Sequence, residues 1–138
     1  MLDFNSPIGE KILIRLKQEH ILWFTSVDAK NTPQPRPVWF TWDGETVLVF
    51  SQPDAAKVRH IRRNPRIALN FNTSPDGGDV GVLIGTTEIL PVQPSPQHIK
   101  AYLEKYEQGI RDIGVTIDEF RKEYSVAIRI TPESVRGF

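Results

Sequence analysis

Asp43-Gly44 separates two runs of aromatic and β-branched residues, Val38-Trp39-Phe40-Thr41-Trp42 and Thr46-Val47-Leu48-Val49-Phe50. An Asp-Gly pair in that setting supplies the backbone of a tight hairpin, so the two runs are expected to be antiparallel neighbours. A hairpin alone is marginal in water, so the rest of the chain must supply further strands and a core. It does so at short, regular spacing. Ile21–Val27, Gln34–Trp42, Thr46–Ser51, Arg66–Asn72, Val82–Leu90 and Ser125–Thr131 all read as strands. Ile67, Leu69 and Phe71 alternate inward, and Gly85 interrupts the fifth strand. Pro35 and Pro37 cannot donate to a ladder, which places the start of the second strand at an edge or where pairing is broken.

Four helices are expected between them. Ser6-Pro7 caps and opens the first, with Ile8, Ile12 and Leu16 recurring to about Glu19. The second opens near Pro53-Asp54 and stops before Asn64-Pro65, with Val58 and Ile61 toward the core. Ser95-Pro96 opens the third, which runs to about Arg111. Thr116 and Glu119 form a capping box for the fourth, ending near Tyr124. The fold expected is mainly β with helices (α+β): a six-stranded antiparallel barrel decorated by short helices, in one domain over residues 1–138.

Composition narrows the chemistry. The chain has no cysteine, which excludes disulfides, thiolate nucleophiles and cysteine-ligated metals. No run approaches the roughly 20 apolar residues of a membrane span, and the N-terminus lacks the pattern of a secretory signal, so a cytoplasmic protein is expected. His20, His60 and His98 are dispersed without metal-ligand spacing, and no metal is expected. No Gly-x-Ser-x-Gly elbow, Gly-x-Gly-x-x-Gly turn or phosphate-binding P-loop occurs.

Charge is balanced, with 17 Lys and Arg against 17 Asp and Glu, yet Lys57, Arg59, Arg62, Arg63 and Arg66 fall within ten residues that hold no acid. In a neutral chain such a cluster points to a local anion, and its plain alternative is a solvated helix face. The N-terminus of the second helix favours a phosphate. Ser51, Lys57, either Arg62 or Arg63, and Arg36 across the hairpin could complete the grip, with Arg59 and Arg66 in solvent. Trp23, Phe24, Trp39, Phe40 and Trp42 could stack bases of a single-stranded nucleic acid, but alternation along strands assigns most of them to a core or interface, and neutral charge speaks against nucleic acid as a partner.

The stretch "PQPRPVWFTWDGETVLVFSQPDAAKVRHIRRNPRIAL" (33–69) resembles the pyridoxamine 5'-phosphate oxidase-like, FMN-binding split-barrel proteins, and within them a small branch of deazaflavin (coenzyme F-420) enzymes. Arg-Pro-Val-Trp, then Ser-x5-Lys, then Asn-Pro before a strand carry the likeness, which extends from "ILWFTSV" to "EYSVAIRITPESVRGF". The resemblance implies an oxidoreductase that transfers a hydride between FMN or F-420 and a small organic substrate, or alternatively a flavin carrier or redox sensor. It implies a homodimer with the cofactor between subunits. Arg36, Pro37, Val38 and Trp39 would lie along the ring. Ser51, Gln52 and Lys57 would hold the phosphate, with Arg62 or Arg63 nearby. Phe138, in Arg136-Gly137-Phe138, would reach in from the partner. A proline-bearing strand fits the ring-facing role, because interrupted pairing frees backbone groups for a ligand. The chain stops at Phe138 without the longer basic segment of true pyridoxamine phosphate oxidases, so vitamin B6 oxidation is not expected. Tyr102, Tyr106 and Tyr124 are expected to pack rather than to act as acids.

Overall fold

The computed structural model describes residues 2–138. Its elements are α1 (Pro7–Gln18), β1 (Leu22–Val27), β2 (Pro33–Val38), β3 (Thr41–Trp42), β4 (Val47–Ser51), α2 (Ala56–Arg63), β5 (Arg66–Asn70), β6 (Gly81–Ile89), α3 (Pro96–Lys105), α4 (Glu107–Asp112), α5 (Ile117–Glu123) and β7 (Val126–Gly137). The seven strands form one sheet in the order β2-β1-β5-β6-β7-β4-β3, and every neighbouring pair is antiparallel.

That order, read with the chain path, forces closure. β2 and β3 are the two edges of the sheet, yet only Trp39 and Phe40 separate them in sequence. Three Cα steps reach at most about 11 Å, whereas the edges of a flat seven-stranded sheet lie about 29 Å apart. The sheet therefore curls until its edges almost meet, with no ladder between them. This is a split barrel. Inside it lie Leu22, Phe24, Val38, Phe40, Val47, Val49, Leu69, Phe71, Ile128 and Ile130, with Ile12 and Leu16 of α1 and Val58 and Ile61 of α2.

Several expectations change. The strand expected over Gln34–Trp42 is two strands, so the count is seven, and the Asp43-Gly44 hairpin joins β3 to β4 while β2 pairs with β1. Asp43 builds the turn with its carboxylate, which accepts from the amides of Glu45 and Thr46 and the Thr46 hydroxyl, and Gly44 takes φ 102°. The second helix begins at Ala56 rather than near Pro53. The long helix expected to Arg111 breaks at Tyr106, which ends α3 and caps α4. The tail beyond Thr131, the expected end of the last strand, is part of that strand. It extends β7 to Gly137 along β6, past a register shift at Ile84/Gly85 where a β-carbon on Gly85 would lie 2.5 Å from the Thr131 carbonyl oxygen.

The prolines at 33, 35 and 37 fall opposite Val27, Thr25 and Trp23, the register in which no ladder donor is required of them. On that outer face Trp23, Thr25, Ala68, Val82 and Ile84 form a half-buried stripe across β1, β5 and β6, and none of them belongs to the barrel core. Among the described residues no helix is long and apolar enough to cross a membrane.

Candidate functional site

Beside the split, a cleft of about 210 Å³ is lined by Pro37, Val38, Trp39, Phe50, Lys57, Tyr102, Ile113, Phe120 and Tyr124. Three routes bring these groups together. The end of β2 and the Trp39 junction form one wall, and Phe50 arrives on β4. The first turn of α2 delivers Lys57, and α3 to α5 close the far side with aromatic rings.

Lys57 is the cation of this cleft. It is half-buried, forms no ion pair among the described residues, and its pKa is held below the usual lysine value by desolvation and then by the Arg36 guanidinium. Arg36 itself is exposed and donates to the Pro35 carbonyl oxygen at 2.8 Å. No side chain caps α2, whose N-cap is Ala55, so its leading amides are left to water or a ligand. Two cations held together without a carboxylate are costly unless an anion completes them.

The other expected phosphate ligands divide. Ser51 is 1% exposed and its hydroxyl donates to the Gln52 carbonyl oxygen at 3.0 Å. The Gln52 amide donates to Glu123 Oε1 at 2.7 Å, tying the approach to α2 onto α5. Arg62 is exposed on a flank away from the cleft lining, and Arg63 donates to the Asp28 carbonyl, beside Lys30, Arg59 and His60. Arg66 is exposed, as expected, and pairs at the surface with Glu133 at 3.1 Å. Phe138, 70% exposed, exchanges backbone hydrogen bonds with Val80 at the end of β7 and does not line the cleft of its own chain.

Backbone freed by the missing β2–β3 ladder is not open to a ligand at the junction itself. The Phe40 amide donates to the Tyr106 hydroxyl oxygen at 2.8 Å, and that hydroxyl has the His20 and Phe40 carbonyl oxygens at 2.6 and 2.9 Å to donate to. Lys105 Nζ donates to the Phe40 carbonyl oxygen at 2.9 Å and sits 3.9 Å from the centre of the Phe40 ring. The Tyr102 hydroxyl reaches toward the Trp39 carbonyl oxygen at 3.4 Å. The end of α3 thus replaces the ladder. It also sets the Trp39 ring, which stacks on Tyr106 at 4.7 Å and 5°. Gly109 leaves room for it, since a β-carbon there would lie 3.0 Å from two Trp39 ring atoms. The tyrosines expected to pack do so at 102 and 106, while Tyr124 is half-buried in the cleft wall. Phe50, Tyr102, Ile113, Phe120 and Tyr124 were not legible as lining residues. The signal available was aromatic spacing of four, 102 with 106 and 120 with 124, which gives each helix one aromatic face.

Burial lowers the Lys105 pKa to about 8, and burial raises those of Tyr102 and Tyr106. Between about pH 8 and the ordinary lysine value, near 10.4, the unfolded chain holds the Lys105 proton more firmly than the folded one does, so stability rises with pH there. Above about pH 10 the unfolded tyrosines ionise first and the trend reverses. Urea denaturation at pH 7, 8.5 and 9.5 is expected to show the rise in the wild type and a shallower one in Lys105→Gln. Parallel profiles would mean that Lys105 keeps its proton throughout.

No curated protein matches this sequence. Among solved structures, a pyridoxamine 5'-phosphate oxidase homologue from Listeria innocua is 25% identical with a TM-score of 0.66, covering 92% of this chain and 94% of that one. An F420 reductase is 23% identical with a TM-score of 0.68, over 88% and 92% of the two chains. The heme storage protein HutZ of Vibrio cholerae is 15% identical with a TM-score of 0.70, over 96% and 95%. The latter two likenesses are of fold. The sequence itself matches one family across nearly its whole length, residues 8–138, and the chain accordingly belongs to the pyridoxamine 5'-phosphate oxidase family, whose split barrel binds flavins.

Proposed function

We propose that this protein is a cytoplasmic oxidoreductase that binds FMN or the deazaflavin F-420 and transfers a hydride to or from a small organic molecule. One observation carries the reading: Lys57, half-buried and unpaired beside Arg36, stands at the end of a cleft walled by proline and aromatic rings. That pairing of an anion grip with flat apolar walls suits a phosphorylated ring system. The cofactor would supply the redox chemistry, and the chain would bind and orient it. Lys57, Arg36 and the open N-terminus of α2 would hold the phosphate. Ser51 and Gln52 could join only by turning from their present partners, and Arg62 or Arg63 only by leaving the flanks they occupy. Pro37, Val38 and Trp39 would face the ring.

Titrating the purified protein with FMN and with F-420, followed by absorbance, tests this directly. Saturable binding of one at micromolar concentration is expected. Binding of neither would end the proposal.

The reading includes a homodimer. At about 210 Å³ the cleft is smaller than the roughly 300–1,000 Å³ of ordinary ligand pockets, so one chain supplies only part of the enclosure. The outer stripe of Trp23, Thr25, Ala68, Val82 and Ile84 offers an apolar face for a second copy, and Phe138 would then be available to the partner's cleft. Placing a charge on that face with Ile84→Arg is expected to convert a dimer to monomer in sedimentation and to weaken cofactor binding in parallel. A variant that stays dimeric would move the interface elsewhere.

A non-catalytic cofactor carrier is the second reading, and the cleft's proton chemistry favours it. Its ionisable lining is Lys57, Tyr102 and Tyr124; Lys57 is assigned to the phosphate and burial makes Tyr102 hold its proton, which leaves Tyr124 as the single donor for a reaction in the cleft. Reduced cofactor that is bound but not reoxidised by any of a panel of conjugated acceptors would decide for the carrier.

A further inference from the structure

The cleft continues beyond the cofactor's expected position. Phe50, Phe120 and Tyr124 line it and also line a smaller void of about 60 Å³ behind them. Ile99, Leu103 and Arg121 border that void and in turn line a surface groove of about 490 Å³ between α3 and α5, together with Pro96, Ile117, Lys100, Glu104 and Glu107. Three spaces in succession therefore share walls, from the outer surface to the ring-facing cleft. The walls they share are aromatic and aliphatic until Arg121 at the mouth, and Gln93 and Ser125 complete the inner void.

At the mouth the charges are nearly all committed. Lys100 pairs with Glu104 at 3.8 Å, and Glu107 pairs with Arg111 at 3.3 Å. Arg121 has no ion-pair partner among the described residues and is exposed at the point where groove and inner void meet.

We propose that the seam between α3 and α5 is the substrate's binding track, and that the substrate is an elongated, apolar or conjugated molecule bearing one carboxylate. Arg121 holds the carboxylate at the mouth. The apolar body lies along Ile99 and Leu103, and its far end passes Phe120 and Tyr124 to meet the cleft. This rests on the cofactor reading for what happens at the inner end, though the track itself is a property of the chain without cofactor. Entry from this side leaves the Lys57 end to the phosphate, so the two ligands need not compete. The inner void is too small for a ring, and passage requires Tyr124 and Phe120, stacked at 4.6 Å, to shift together.

Two fluorescent probes of matched shape separate the elements. 1-Anilinonaphthalene-8-sulfonate is an aromatic monoanion, and N-phenyl-1-naphthylamine is its uncharged counterpart. With the cofactor-free protein, Arg121→Ala is expected to weaken the anion about tenfold, the low end for a hydrogen bond to a charged group, and to leave the neutral probe unchanged. Leu103→Trp, which fills the track, is expected to weaken both. Arg121 is exposed, so its replacement leaves a folded protein even if Leu103→Trp does not. Failure of the wild type to bind either probe, or equal binding of both by the wild type and Arg121→Ala, would overturn the track. Titrating FMN and F-420 into the same proteins keeps the two ideas apart. Arg121-dependent probe binding without cofactor binding would sink the oxidoreductase reading alone.

Discussion

Tyr106→Phe is expected to destabilise the protein by about 2–3 kcal/mol, the upper part of the range for stranding a buried donor. The Phe40 amide is buried and has the Tyr106 oxygen as its partner, because β3 and β2 do not pair across the split. Phenylalanine keeps the ring against Trp39 and removes the oxygen alone, so the loss reports the hydrogen bonds and not the packing. For a chain of this length the melting temperature should fall by about 6–10 °C. Tyr106→Ala should cost more, since large core aromatics lose about 3–5 kcal/mol on truncation. Thermal and urea unfolding of both variants measure this. A Tyr106→Phe protein as stable as the wild type would mean that water or a shifted loop satisfies Phe40 equally well. Near-ultraviolet circular dichroism should separate the two, because Phe preserves the Trp39 stack and Ala does not.

The second large effect falls on binding. Lys57→Ala should weaken the cofactor by about 1.5–3 kcal/mol, or roughly 10- to 150-fold, as expected when a charge-assisted hydrogen bond is removed. Arg36→Ala should weaken it as well, and the double variant should lose less than the sum, because both side chains address one anion. Stability without cofactor should move the other way. Lys57 is a partly desolvated cation facing another cation, so Lys57→Met relieves a repulsion and should unfold at higher denaturant. Such opposition between binding and stability is the mark of a group held for a ligand. Unchanged affinity in Lys57→Ala would place the phosphate elsewhere. Calorimetric titration together with unfolding of the ligand-free variants covers both halves.

How much of this could be read beforehand depended on whether the cause was local. Asp43-Gly44 carries its own turn chemistry, and the hairpin follows from it. Ser6, Ser95 and Thr116 cap their helices as their spacing foretells. The break at Trp39–Phe40 has no such mark. Val38 to Trp42 is an unbroken run of aromatic and β-branched residues, and what divides it is Tyr106 and Lys105, more than sixty residues away in sequence. The kink at Tyr106 is equally silent, with neither glycine nor proline at the join. Charge singled out Lys57 and Arg36, and the Arg36 guanidinium does act on Lys57 electrostatically, though Arg36 sits on a strand paired with β1 and not across a hairpin from Ser51. Arg63 illustrates the limit of counting charges. Six residues along a helix turn a side chain by about 240°, which aims it away from Lys57 and toward Asp28.

A barrel left unsealed carries a hazard that a closed one avoids, for an open edge is a template on which other chains can add strands without end. Here the prolines at 33, 35 and 37 leave that edge of β2 with carbonyl oxygens and no amide hydrogens, so an arriving strand finds only half of a ladder. The opposite edge, β3, is two residues long and offers too little to grip. The chain can thus keep a permanent gap in its wall and still resist growing into fibrils.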